Sequence, residues 1–79
     1  MRILYTVSTG PADPTKVSLP FHLAMNGSHE VGDQPELLLA GDATGLLASG
    51  VIDSVEGVGV PPLRELVAKV RQHEVPVYV

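Results

Sequence analysis

This chain contains no cysteine, so as it stands it cannot do thiol, persulfide or disulfide chemistry. The imidazoles are His22, His29 and His73, and the carboxylates beside expected turns include Asp13 and Asp42. His22 and His29 stand seven residues apart, which is about 10.5 Å along a helix rising 1.5 Å per residue and too far to share one metal ion. With no HxxxH or HxH spacing either, no metal and no cofactor is expected. No hydroxyl nucleophile stands at a fixed spacing from a base, so no catalytic residues are read and independent enzymatic activity is not expected. Gly57-Val58-Gly59 lacks the third glycine of a dinucleotide fingerprint and follows no clear strand.

Two short segments remain as binding candidates. Ser8, Thr9, Gly10 and Asp13 lie after an apolar run, where open α/β sheets place ligands, and backbone N–H groups at a following helix start could hold a phosphate or carboxylate. The same residues also read as a tight turn plus a helix cap, and the Asp13 carboxylate opposes an anion. Asp42 follows a second apolar run, where it could orient a ligand hydroxyl, act as a general base, or simply cap a helix. His22 is read as packing or facing solvent, with a part in a ligand crevice or subunit contact as the sharper alternative. The ligand-binding candidates are therefore Ser8, Thr9, Gly10, Asp13, His22 and Asp42, with the ligand unknown.

The elements that must position these groups follow from hydrophobic pattern. Arg2 to Val7 reads as a strand covered on both faces. Asp13-Pro14 resembles a cap followed by proline at the first helical position. The helix that follows is expected to have an irregular first turn because of Pro20, then to run regularly to about Glu30. Gly32-Asp33-Gln34-Pro35 interrupts, and Glu36 to Ala40 reads as a second strand. From Gly41-Asp42 a short or frayed helix is expected, weakened by Gly45 and Gly50. Pro61-Pro62 opens the clearest helix, in which Leu63, Leu66, Val67 and Val70 form one stripe and Glu65 and Lys69 an i, i+4 pair. His73 falls in its last turn, and Val75 to Val79 reads as a third strand.

This order predicts a single domain over residues 1–79, a small three-layer α/β/α domain with a three-stranded parallel sheet in the order 2-1-3. Open edges invite pairing, so a homo-oligomer or association with related subunits is expected. Of 79 residues, 44% are hydrophobic, enough for a folded core. No apolar run approaches the roughly 18 residues of a membrane span, and the first residues are too soon interrupted for a secretion signal. No membrane association and a cytoplasmic location are the expectations. A net charge of −4, with only five basic side chains, leaves no broad basic face for a phosphate backbone, so nucleic acid is not an expected partner.

Four segments in order carry a family resemblance. Thr9-Gly10-Pro11 with Asp13-Pro14-Thr15, Leu19-Pro20-Phe21-His22-Leu23-Ala24, Leu39-Ala40-Gly41-Asp42-Ala43, and Gly57-Val58-Gly59-Val60-Pro61-Pro62-Leu63 together resemble a DsrE/DsrF-like (YchN-like) protein over nearly the whole chain. That resemblance implies a small α/β subunit of an oligomer, connected with intracellular sulfur relay, in which a cysteine carries persulfide sulfur. The chain departs from the pattern by having no cysteine, where the relatives continue from the strand matching Pro76 to Val79 into a cysteine-bearing segment. Sulfur transfer needs a thiolate, and neither serine nor methionine replaces it. The expectation is a truncated form, or a cysteine-free branch whose role is not transfer.

Overall fold

Three parallel strands, β1 (Arg2–Val7), β2 (Gln34–Leu39) and β3 (Val77–Tyr78), form the sheet in a computed structural model that describes residues 1–79. Between β1 and β2 come helix α1 (Pro14–Leu23) and a π-helical segment, Ala24–Ser28. Between β2 and β3 come a 3-10 segment (Gly41–Leu47), the single-turn α2 (Val51–Ser54) and helix α3 (Leu63–Gln72). The α/β class and the three-stranded parallel sheet agree with the sequence pattern.

The strand order does not. It is β1-β2-β3, with β2 in the centre, rather than 2-1-3 with β1 in the centre. Burial explains the placement. Along β1 exposure alternates, with Arg2, Leu4 and Thr6 turned outward and Ile3, Tyr5 and Val7 turned inward, as in a strand with one solvated face. Leu37, Leu38 and Leu39 make β2 apolar on both faces, which suits the most enclosed position.

Order in turn decides the number of layers. Right-handed crossovers that step in opposite directions put helices on opposite faces, whereas two steps in the same direction put them on one face. Both crossovers here step the same way, α1 packs against α3, and the domain has two layers instead of the expected three. Val7, Leu37 and Leu39 from the sheet join Val17, Phe21, Ala24 and Met25 from the first crossover and Leu63, Leu66 and Val70 from α3 in one buried cluster. The other face of the sheet is uncovered, leaving Leu4 55% and Tyr78 49% exposed.

Local departures have local causes. β2 begins at Gln34, so Gln34 and Pro35 belong to the strand rather than to a break before it. The Gln34 N–H donates to Met1 O on the β1 side and the Leu37 N–H donates to Pro76 O on the β3 side. Alternation therefore aims the Pro35 nitrogen towards β3, whose ladder begins only at the Leu37–Val77 pairing, and the missing donor costs no bond. β3 itself is two residues rather than the expected five.

α1 starts where Asp13-Pro14 indicates: Asp13 Oδ1 accepts from the Lys16 N–H at 3.1 Å, with Pro14 in the first turn. The irregularity falls after Pro20 instead of before it. The helix widens into the π-helical segment, where Ala24, Met25 and Ser28 are all buried and the Ser28 hydroxyl bonds to the Tyr5 hydroxyl. α3 matches its stripe, with Leu63, Leu66 and Val70 buried. Its expected Glu65–Lys69 pair is replaced by a bond from Lys69 Nζ to Asn26 Oδ1, which ties α3 to the π-helical segment.

Candidate functional site

The carboxyl ends of β1 and β2 lead into the candidate segments at Ser8 to Asp13 and at Asp42. In a sheet ordered 1-2-3 neither crossover reverses direction, so there is no topological switch point at which the loops separate. The loops instead close on one another. Gly10 is buried, and a Cβ placed there would stand 2.6 Å from Asp42 O and 3.1 Å from Asp42 Cβ. Only a glycine permits that approach of the first loop to the second.

A third loop closes on the same region. A Cβ on Gly57 would stand 2.9 Å from Thr15 Cα and 3.1 Å from Pro14 O, and the Val58 N–H donates to Thr15 Oγ1 at 3.0 Å. The segment from Gly10 to Thr15 thus touches two segments distant in sequence, one at Asp42 and the other at Gly57 and Val58.

Each candidate residue has a definite place. Ser8 is exposed and Thr9 half-buried. Asp13 is exposed and occupied as the α1 cap. Asp42 is exposed in the first turn of the 3-10 segment and makes no capping bond, the cap position being Ala40. His22 sits in the last turn of α1, about 12 Å along the helix from its start at 1.5 Å per residue. Its Nδ1 pairs with Asn26 Nδ2 at 3.0 Å, and with Lys69 donating to Asn26 Oδ1 the three side chains form a chain linking the two helices. The structure brings Gly10 and Asp42 together and leaves His22 apart from them. None of the six candidates lines any of the four cavities in the molecule.

The hydroxyl bonds carry no activated nucleophile. Ser18 Oγ donates to Pro14 O, Thr44 Oγ1 to Gly41 O and Ser54 Oγ to Val51 O. Thr15 Oγ1 accepts from backbone, and Tyr5 and Ser28 bond to each other. No hydroxyl bonds to an imidazole or carboxylate, the arrangement that nucleophilic catalysis uses.

Two features were not read from the sequence. One is the uncovered sheet face, where Arg2, Leu4, Thr6, Gln34, Glu36, Leu38 and Tyr78 share one side of the pleat by register. Arg2 Nη2 donates to Glu36 Oε2 at 2.6 Å on this face. That hydrogen bond, and after it the carboxylate charge, raises the guanidinium pKa above its ordinary value. The other is at the opposite end of the strands, where the rings of His29 and His73 lie with centroids 4.2 Å apart and planes inclined by 40°. They border a cleft of about 430 Å³ that is also lined by Asp33, Glu36 and Glu74. Alternation of Arg2 and Thr6 in β1 is a readable sign of the first feature; nothing in the local sequence joins the two histidines.

No protein-family model, curated protein or solved structure matches this chain.

Proposed function

We propose that this chain is a non-catalytic, self-associating α/β subunit, similar to DsrE/DsrF-like proteins and connected with sulfur relay through assembly rather than through carrying sulfur. The observation that carries the reading is the uncovered sheet face. Leu4 and Tyr78 are about half exposed there, Leu38 lies between Thr6 and Tyr78 in the register, and β1 and β3 both present open edges. An apolar strip beside unpaired strand edges favours association.

The occupant proposed is a second copy of the chain. Across a two-fold axis the strip meets its own image, and the exposed Arg2 and its partner Glu36 supply one charge of each sign to the same surface. Three of the four segments that carry the resemblance lie close together, through Gly10 with Asp42 and Thr15 with Gly57. The lack of cysteine separates this role from sulfur transfer.

Sedimentation equilibrium between about 1 and 100 µM tests the reading. A dimer or larger assembly is expected at the upper end, with Leu38→Glu or Tyr78→Ser shifting it to monomer. A wild-type chain that stays monomeric throughout would refute self-association. Cyanide-labile sulfur on the purified protein would refute the claim that it carries none.

A further inference from the structure

The π-helical segment and α3 both end at the same corner of the domain. His29 is the cap residue of the first, its N–H donating to Ala24 O, and His73 is the cap residue of the second, its N–H donating to Lys69 O. Each imidazole therefore stands beside the last carbonyls of a helix, the end that favours positive charge. Their rings are in contact across the two elements, with centroids 4.2 Å apart.

The cleft beside them is acidic. Of its three carboxylates, Asp33 is paired with the N-terminal ammonium at 3.2 Å and Glu36 with Arg2. Glu74 makes no ion pair and follows His73 directly, with φ at +54°, a left-handed conformation that non-glycine residues rarely adopt. No three histidine or acidic side chains already converge as a ligand set.

We infer that His29 and His73 form a two-imidazole site for a divalent transition cation of the zinc, nickel or copper kind, with water completing its coordination. Two nitrogens bound to one zinc at about 2.0–2.1 Å stand roughly 3.3 Å apart in tetrahedral geometry. Around a shared tetrahedral ion the ring centroids stand about 5 Å apart, so the rings, at 4.2 Å here, admit the metal by separating by about 1 Å through χ1 as well as turning about χ2. Imidazole selects these metals over magnesium and calcium, which prefer oxygen. The acidic cleft lowers the energy of a bound cation, and Glu74 is the carboxylate free to approach it or to hold its water.

Titration calorimetry with zinc chloride, and separately with magnesium chloride, tests this on the wild-type chain and on His29→Gln, His73→Gln and His22→Gln. One zinc per chain is expected, with at least tenfold weaker binding in His29→Gln and in His73→Gln. His22→Gln should match the wild type, and magnesium should give no binding heat. His73 is exposed, so its substitution leaves the core intact, and circular dichroism checks this for each variant. Equal zinc affinity in wild type and His73→Gln would overturn the inference. So would binding heat from magnesium, which places the cation on the carboxylates, or one zinc per two chains, which places the ligands in different copies.

Discussion

Replacing Gly10 by alanine isolates the contact between the first two loops. The added Cβ would lie 2.6 Å from the Asp42 carbonyl oxygen, and because that neighbour is backbone rather than a flexible side chain, relief requires the loops to part. Overpacking of this kind costs about 1–3 kcal/mol, while alanine's restriction of the unfolded chain returns about 0.4–1 kcal/mol. A net loss of about 1–2 kcal/mol is expected, from a total that for a domain of this size is roughly 4–12 kcal/mol at about 0.05–0.15 per residue. The thermal midpoint should fall by about 4–16 °C, at about 4–8 °C per kcal/mol. Gly27 provides the control: it lies in the π-helical segment with nothing within 4 Å of an added Cβ. Gly27→Ala should therefore gain about 0.5–1 kcal/mol. Thermal and urea unfolding followed by circular dichroism, at one protein concentration so that association does not shift the midpoint, measure both. A Gly10→Ala midpoint at or above wild type, or a Gly27→Ala loss of equal size, would refute the assigned loop contact.

Three further outcomes follow from individual contacts. Asp13→Ala removes the bond to the Lys16 N–H and should cost about 1 kcal/mol in urea unfolding, with Asp13→Asn recovering most of it. Asn26→Ala breaks the chain between His22 and Lys69 and should cost about 1–2 kcal/mol; Lys69→Met should add little on top, since the two substitutions remove a shared bond. Glu36→Gln addresses the Arg2 pair. A base whose folded pKa is raised contributes stability that is complete below its unfolded pKa and lost only as pH rises through the folded one. For Arg2 that window lies above the ordinary guanidinium range, far beyond neutral pH, so the midpoint difference between wild type and Glu36→Gln should stay constant from about pH 6 to 10.

What could be read from sequence was the part fixed by neighbours along the chain. Asp13 followed by Pro14 marked the start of α1, and the Leu63, Leu66 and Val70 stripe marked the buried face of α3. Both depend on local spacing alone. The sheet order depends on which strand is enclosed, and there the difference lay in Arg2 and Thr6. Read as an unbroken apolar run, β1 belongs in the centre; read as an alternation, it belongs at an edge with one wet face. From that choice followed the layer count and the expected crevice. Pro35 reads as a breaker in sequence because its harmlessness depends on where β3 begins, which only the assembled sheet determines. His29 and His73 meet because two helices end at one corner, a result of topology that no window of sequence contains.

The backbone contact between the Gly10 and Asp42 loops also governs where the chain can tolerate added residues. Lengthening either loop would force apart two main chains already at closest approach, and the Thr15–Val58 bond beside them would be drawn into the damage. At the other end of the domain, Glu30, Val31 and Gly32 are all exposed, and no atom stands near a Cβ built on Gly32. Peptide tags or grafted epitopes inserted at that turn would leave the Gly10–Asp42 contact untouched, while placing the insert beside the His29–His73 cleft.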